Sequence, residues 1–113
     1  MSDGCTVPKP LLWLLDGAEE FYAAIRDEAC APHDQDYNRG GTELDRLLAD
    51  LRLHLNALVA GRRHLAGWTE ADIMLCARRT YQAVRIGGAS HWRYPDGYVA
   101  PSGFEDDPAL ESA

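Results

Sequence analysis

Gly41-Thr-Glu-Leu-Asp-Arg-Leu-Leu-Ala-Asp-Leu-Arg-Leu-His-Leu-Asn-Ala-Leu-Val-Ala-Gly61 is the longest uninterrupted periodic stretch of the chain. Leu44, Leu47, Leu48, Leu51, Leu55, Leu58 and Val59 recur at steps of three and four, the spacing of one helical face. They predict a dense apolar stripe turned toward a core. Leu53 falls on the opposite side, which hints at a second partner surface and at a homodimer through helix 42–65. Thr42 with Asp45 three residues on predicts a capping box, with Asp in the usual place of Glu. Arg62, Arg63 and His64 suit the negative end of the helix dipole. No heptad pattern runs long enough for a coiled coil.

Working outward, Trp68-Thr-Glu-Ala-Asp72 reads as the next helix start, with Thr69 as cap and Trp68 placed to staple against Ile73. Ile73, Met74, Cys76, Ala77, Thr80, Tyr81, Val84 and Ile86 predict its apolar face. Arg78, Arg79, Gln82 and Arg85 are expected to face out, and Gly87-Gly88 to end the helix near residue 86. Upstream, Pro10 fits a first-turn proline. Leu11, Leu14, Leu15, Ala18, Phe21, Tyr22, Ile25 and Ala29 predict an amphipathic helix over 10–30. Pro32 is expected to stop it, and the Asp, Asn and Gly content of 31–41 to form a loop. Residues 1–9 read as a flexible arm and 105–113 as a flexible acidic tail around one domain, 10–104. Tyr94-Pro95-Asp96-Gly97 reads as a turn. Residues 89–104 carry too many aromatic groups to stay solvated, and are expected to fold over the helices or dock on a partner. The fold class is therefore all-α: a small three-helix or four-helix bundle with an irregular aromatic C-terminal segment.

A chain of 113 residues forms one domain with a single modest core. No apolar run approaches the ~20 residues needed to span a bilayer. The N-terminus shows no basic region before its first apolar run, and Cys5, Cys30 and Cys76 are an odd count without a CxxC pair. Both points predict a cytoplasmic protein without a disulfide framework.

The net charge of −7 is unevenly spread. Residues 1–51 carry −7, residues 52–93 carry +5, and residues 94–113 carry −5. Either the arginine-rich middle is neutralised by the acidic flanks, or two faces of opposite sign steer a partner. Overall acidity opposes generic nucleic-acid binding. Ten of the eleven bases are arginine, which favours paired contacts with carboxylates.

Chemistry-bearing motifs are sparse. Cys30-x-x-His33 has a metal-like spacing that His54, His64, Cys76 or His91 could extend, but no second ligand pair follows. Cys76 is expected in the core, where a thiol is inert, and Cys30 sits at a helix C-terminus that raises its pKa. Adjacent acids such as Glu19-Glu20 point to different sides of a helix and form no dyad. Gly40-Gly41 lacks a phosphate loop's Lys-Ser/Thr. No catalytic residues, metal or cofactor are predicted. The remaining candidate is an Arg/aromatic surface of Arg62, Arg63, Arg78, Arg79, Arg85, Trp92, Arg93 and Tyr94, with the composition of interface hot spots. The sequence thus points to a small acidic interaction module that docks on another protein, in the manner of an accessory or inhibitor protein of a phage or mobile element. Two rivals stand beside it: a helical metal- or small-ligand-binding protein using Cys30, His33 and His64, and a nucleic-acid accessory subunit using the arginines of the third helix.

Overall fold

The computed structural model describes residues 18–99, which are helical with no strand among them. The first helical run is α1 (Ala18–Ile25), a wide π-turn (Arg26–Cys30) and α2 (Ala31–Arg39), continuous in the chain. Then come α3 (Glu43–His64), α4 (Glu70–Gly87) and a 3₁₀ turn (Gly88–Ser90). The all-α class is as the periodicity predicts. Pro10 and the apolar positions Leu11, Leu14 and Leu15, together with both termini and Phe104, lie outside the described residues.

The 31–41 segment is a correction: it is helix to Arg39, leaving only Gly40 to Thr42 as a connection. Pro32 does not stop the helix, because the turn before it is already widened. The Ala31 N–H bonds to the Arg26 carbonyl, a five-residue step. A proline offers no N–H and crowds the carbonyl four residues back, and a π-turn is one way a helix absorbs that mismatch.

A second correction concerns α3. Leu53 is 1% exposed, whereas Leu44, Leu48, Leu51, Leu55 and Val59 are between 43% and 60% exposed. The face turned inward is Glu43, Arg46, Ala49, Asp50, Leu53, Ala57, Ala60 and Gly61. These also recur at steps of three and four, on the side opposite the leucines. Ala49, Ala57, Ala60 and Gly61 among them are small and allow neighbouring helices to come close. A Cβ on Gly61 would sit 2.8 Å from the Ile73 Cγ2 and 3.3 Å from the Phe21 ring.

Around that face the core is Phe21, Ile25, Ala29 and Cys30 from the first run, Leu53, Ala57 and Ala60 from α3, and Ile73, Cys76, Ala77 and Val84 from α4. Trp68 packs on this cluster, its ring 5.9 Å from Phe21. α1, the π-turn, α2 and α4 all touch α3, which pairs most extensively with α4 across the Leu65–Thr69 turn. The predicted caps are present: Thr42 and Asp45 bond reciprocally, and Thr69 Oγ1 accepts from the Asp72 N–H. On α4, Ile73, Cys76, Ala77, Thr80, Tyr81 and Val84 are buried as expected. Met74 and Ile86 are instead exposed, and Gln82 and Arg85 are buried.

Cys30 is disulfide-bonded, which corrects the expectation of free thiols; its partner lies outside the described residues. Cys76 is free and buried, and burial, with Asp72 nearby, pushes its thiol pKa up.

The inverted α3 separates two substitutions that look alike in sequence. Leu53→Ala should cost about 3 kcal/mol, the usual range for a buried leucine being ~2–5. Leu55→Ala should cost less than about 1 kcal/mol, because the side chain is already largely in water. Urea unfolding of dilute protein measures both; equal losses would contradict this packing.

Candidate functional site

The inward face of α3 carries three charged residues, Glu43, Arg46 and Asp50, spaced so that all three point between α2 and α4. Asp50 has no exposure. Its Oδ1 accepts from Tyr37 Oη at 2.8 Å and lies 2.7 Å from His33 Nε2. A carboxylate only accepts, so the His33 proton sits on Nε2. Its Oδ2 accepts from Arg85 Nη1 at 2.7 Å and lies 3.5 Å from Arg46 Nη1. His33 and Tyr37 come one turn apart from α2, and Arg85 comes from α4. Glu43 accepts from Arg46 Nε at 3.0 Å and from Tyr94 Oη at 2.9 Å. Arg46 also donates to the Val84 carbonyl at 3.3 Å.

Two carboxylates, Glu43 and Asp50, therefore face two guanidinium groups, Arg46 and Arg85. Among the described residues no buried side-chain nitrogen or oxygen lacks a partner. Burial raises the Tyr37 pKa well above its ordinary value, with the neighbouring Asp50 charge adding to it. Burial works to lower the Arg46 pKa, but its bonds to Glu43 and Tyr37 win and hold it up.

Of the two placements expected for the aromatic segment, the described residues Trp92 to Tyr98 take the first and close this cluster; 100–104 lie outside the described residues. Trp92 is buried edge-on against Tyr37, ring centres 4.8 Å apart, and its Nε1 donates to the Gly41 carbonyl at 2.8 Å. The Gly41 N–H in turn donates to the Arg93 carbonyl at 3.0 Å. Gly40, at φ +73°, makes this approach possible, since a Cβ there would run into the Arg93 carbonyl. Tyr98 accepts the otherwise orphaned Glu43 N–H at the start of α3, at 2.9 Å, and stacks on Tyr94. The turn lies at Pro95–Tyr98, one residue beyond its predicted place.

The predicted Arg/aromatic surface does not assemble. Arg62 and Arg63 are exposed at one end of the α3–α4 hairpin, bonded to Glu70 and Glu28. Arg85 and Trp92 are buried at the other end, and Tyr94 is half-buried on Glu43. Arg79 is half-buried and donates to Gln82 at 3.0 Å, while Arg78 and Arg93 are exposed. The set is dispersed because Arg62, Arg63 and Arg85 are each bound to a carboxylate of the chain, the first two at one end of the hairpin and Arg85 at the other.

His64 Nε2 lies 2.8 Å from Glu28, whose carboxyl is held below the usual range first by that bond and then by Arg63. Cys30, His33 and His64 are thus engaged separately, and no group of three metal-ligating side chains exists among the described residues. A cavity of about 340 Å³ opens between the end of α2 and α3, beside Leu48 and Trp92. Its charges are internally matched, Asp36 binding both Arg39 and Arg52.

Comparison with family models, curated proteins and solved structures finds no match to this chain. What the fold and cluster define is a small all-α bundle organised around a buried ion-pair network.

Two outcomes follow from this geometry. Asp50→Ala should cost about 3–5 kcal/mol, the range for removing one partner of a buried ion pair. Tyr37→Phe, which deletes a single bond, should cost about 1 kcal/mol in the same urea experiment. On the alkaline side, burial and then Asp34 lift Tyr22 from 10.0 to about 12. A raised folded pKa adds stability that is whole below pH 10 and lost as pH climbs through about 12. Tyrosinate absorbance should therefore show Tyr22 and Tyr37 titrating late, with unfolding; early ionisation of all tyrosines would contradict their burial.

Proposed function

We propose that this chain is a small acidic interaction protein that docks on another protein surface and performs no chemistry of its own. The observation that carries the reading is the exposed row Leu44, Leu48, Leu51, Leu55 and Val59 on α3, with Met74 exposed on α4. About half of each large side chain is exposed, on the order of 500 Å² in one row, at the upper end of what monomeric proteins show as a single patch. The buried charges complete one another and present no open acid, base or nucleophile. This moves the docking face from the arginines to the leucines.

The nucleic-acid alternative has less support, since Arg62, Arg63 and Arg85 are bound to the chain's own carboxylates. A metal-binding role draws no support from residues that point to separate partners. No helix among the described residues is long and apolar enough to cross a membrane. The cytoplasm stays the proposed setting on the low cysteine count, with the bond at Cys30 weighing the other way.

A pull-down from the native host distinguishes the two faces. A partner recovered with the unaltered protein should be lost with the double variant Leu51→Glu/Leu55→Glu and kept with Arg79→Glu. The reverse pattern would return the docking face to the arginines.

A further inference from the structure

Resting on that reading, we infer that the leucine row of α3 takes a second copy of this chain, with the two α3 helices antiparallel. The row has a self-matching spacing. Leu44, Leu48, Leu51, Leu55 and the half-buried Leu58, which also packs on the core, alternate steps of four and three, the a and d positions of a short seam. An antiparallel copy crossing at the level of Leu53 sets Leu51 opposite Leu55, Leu48 opposite Leu58 and Leu44 opposite the stem of Arg62. Each layer then pairs an a position with a d position.

The seam spans only about two heptads, too few to hold free helices together. Here α3 is already held by α1, α2 and α4, so pairing orders no new backbone. Leu53, Ala57 and Ala60 point away from the seam into the core, so the copy takes nothing from the fold.

Charge chooses the direction. At the start of α3 the exposed acid is Asp45, Glu43 being turned inward, and the last turn exposes Arg62, Arg63 and His64. An antiparallel pair sets the acidic start of one helix beside the basic end of the other, with opposed dipoles. A parallel pair would put six basic side chains together at one end, offset only in part by Glu28 and Glu70 of each chain. Arg52 approaches its own counterpart near the two-fold axis, and its charge is offset by Asp36 at 3.2 Å.

Area fits as well. About 500 Å² from each chain gives roughly 1,000 Å² in total, the lower bound for a specific interface. That size predicts a reversible dimer that forms and separates with concentration.

Sedimentation equilibrium of the full chain should show mass rising from 12.5 kDa toward twice that value as concentration rises. Leu51→Glu/Leu55→Glu should stay at 12.5 kDa with unchanged helix content, because both side chains lie outside the core. A spin label at Leu44→Cys should report a separation of about 27 Å, eighteen residues at ~1.5 Å each; an antiparallel pair requires this, and a parallel pair would bring the labels to about 10 Å. A short distance overturns the direction. A dimer indifferent to the leucine variant overturns the seam. A chain that stays monomeric overturns the second copy. If that monomer still loses its captured partner in the leucine variant, the docking face stands without the copy. If the monomer's leucine row resists solvent, the chain covers itself and both readings fall.

Discussion

Asp50 sits in the middle of the longest helix with no contact with water, and an ionised carboxylate in that position has to be neutralised where it stands. A buried charge left alone costs several kcal/mol, more than any one leucine gains by burial, at ~1.5–3 kcal/mol. The structure meets this demand from three elements at once. Tyr37 and His33 reach in from α2, Arg85 from α4, and Arg46 from the next turn of α3 itself. Satisfying Asp50 therefore fixes how α2, α3 and α4 are rotated about their own axes. Glu43 extends the same logic to the chain's end, since it holds Arg46 while Tyr94 and Tyr98 fold back onto it.

The rotation has a consequence on the far side of α3. With Glu43, Arg46 and Asp50 inside, the leucine row must face out. The inner face keeps its contacts through Leu53 and a set of alanines and Gly61, which bring helices close and leave little room for larger side chains. The outer face is left with apolar area that the described residues do not cover. A single exposed leucine needs no explanation, but a contiguous row at helical spacing does. Stability and interaction thus divide one helix lengthwise between them.

How much of this the sequence shows depends on which signal is read. Helix existence and the caps at Thr42 and Thr69 follow from local chemistry and need no tertiary knowledge. The facing of α3 does not, because a leucine row scores as core on hydrophobicity alone. The competing signal was present: Glu43, Arg46 and Asp50 share a face with Ala49, Ala57 and Ala60, an arrangement that makes sense only if that face is buried and its charges are paired. Its partners, His33, Tyr37 and Arg85, were hidden because they lie on other elements. Pro32 and the polar composition of 31–41 point to a loop, whereas the π-turn that carries the helix past Pro32 leaves no comparable mark in the sequence. The Arg/aromatic surface failed for a related reason: charge composition says how many arginines exist, but not which carboxylates they meet.

The central claim is that α3 buries its charged, small-residue face and leaves its leucines outside. Methyl NMR of the protein at low concentration, with a soluble paramagnetic agent in the solvent, tests it most directly. The structure predicts that the Leu53 methyl signals are untouched while those of Leu44, Leu48, Leu51 and Leu55 broaden strongly. Broadening of Leu53 together with protection of the row would show that α3 is turned the other way.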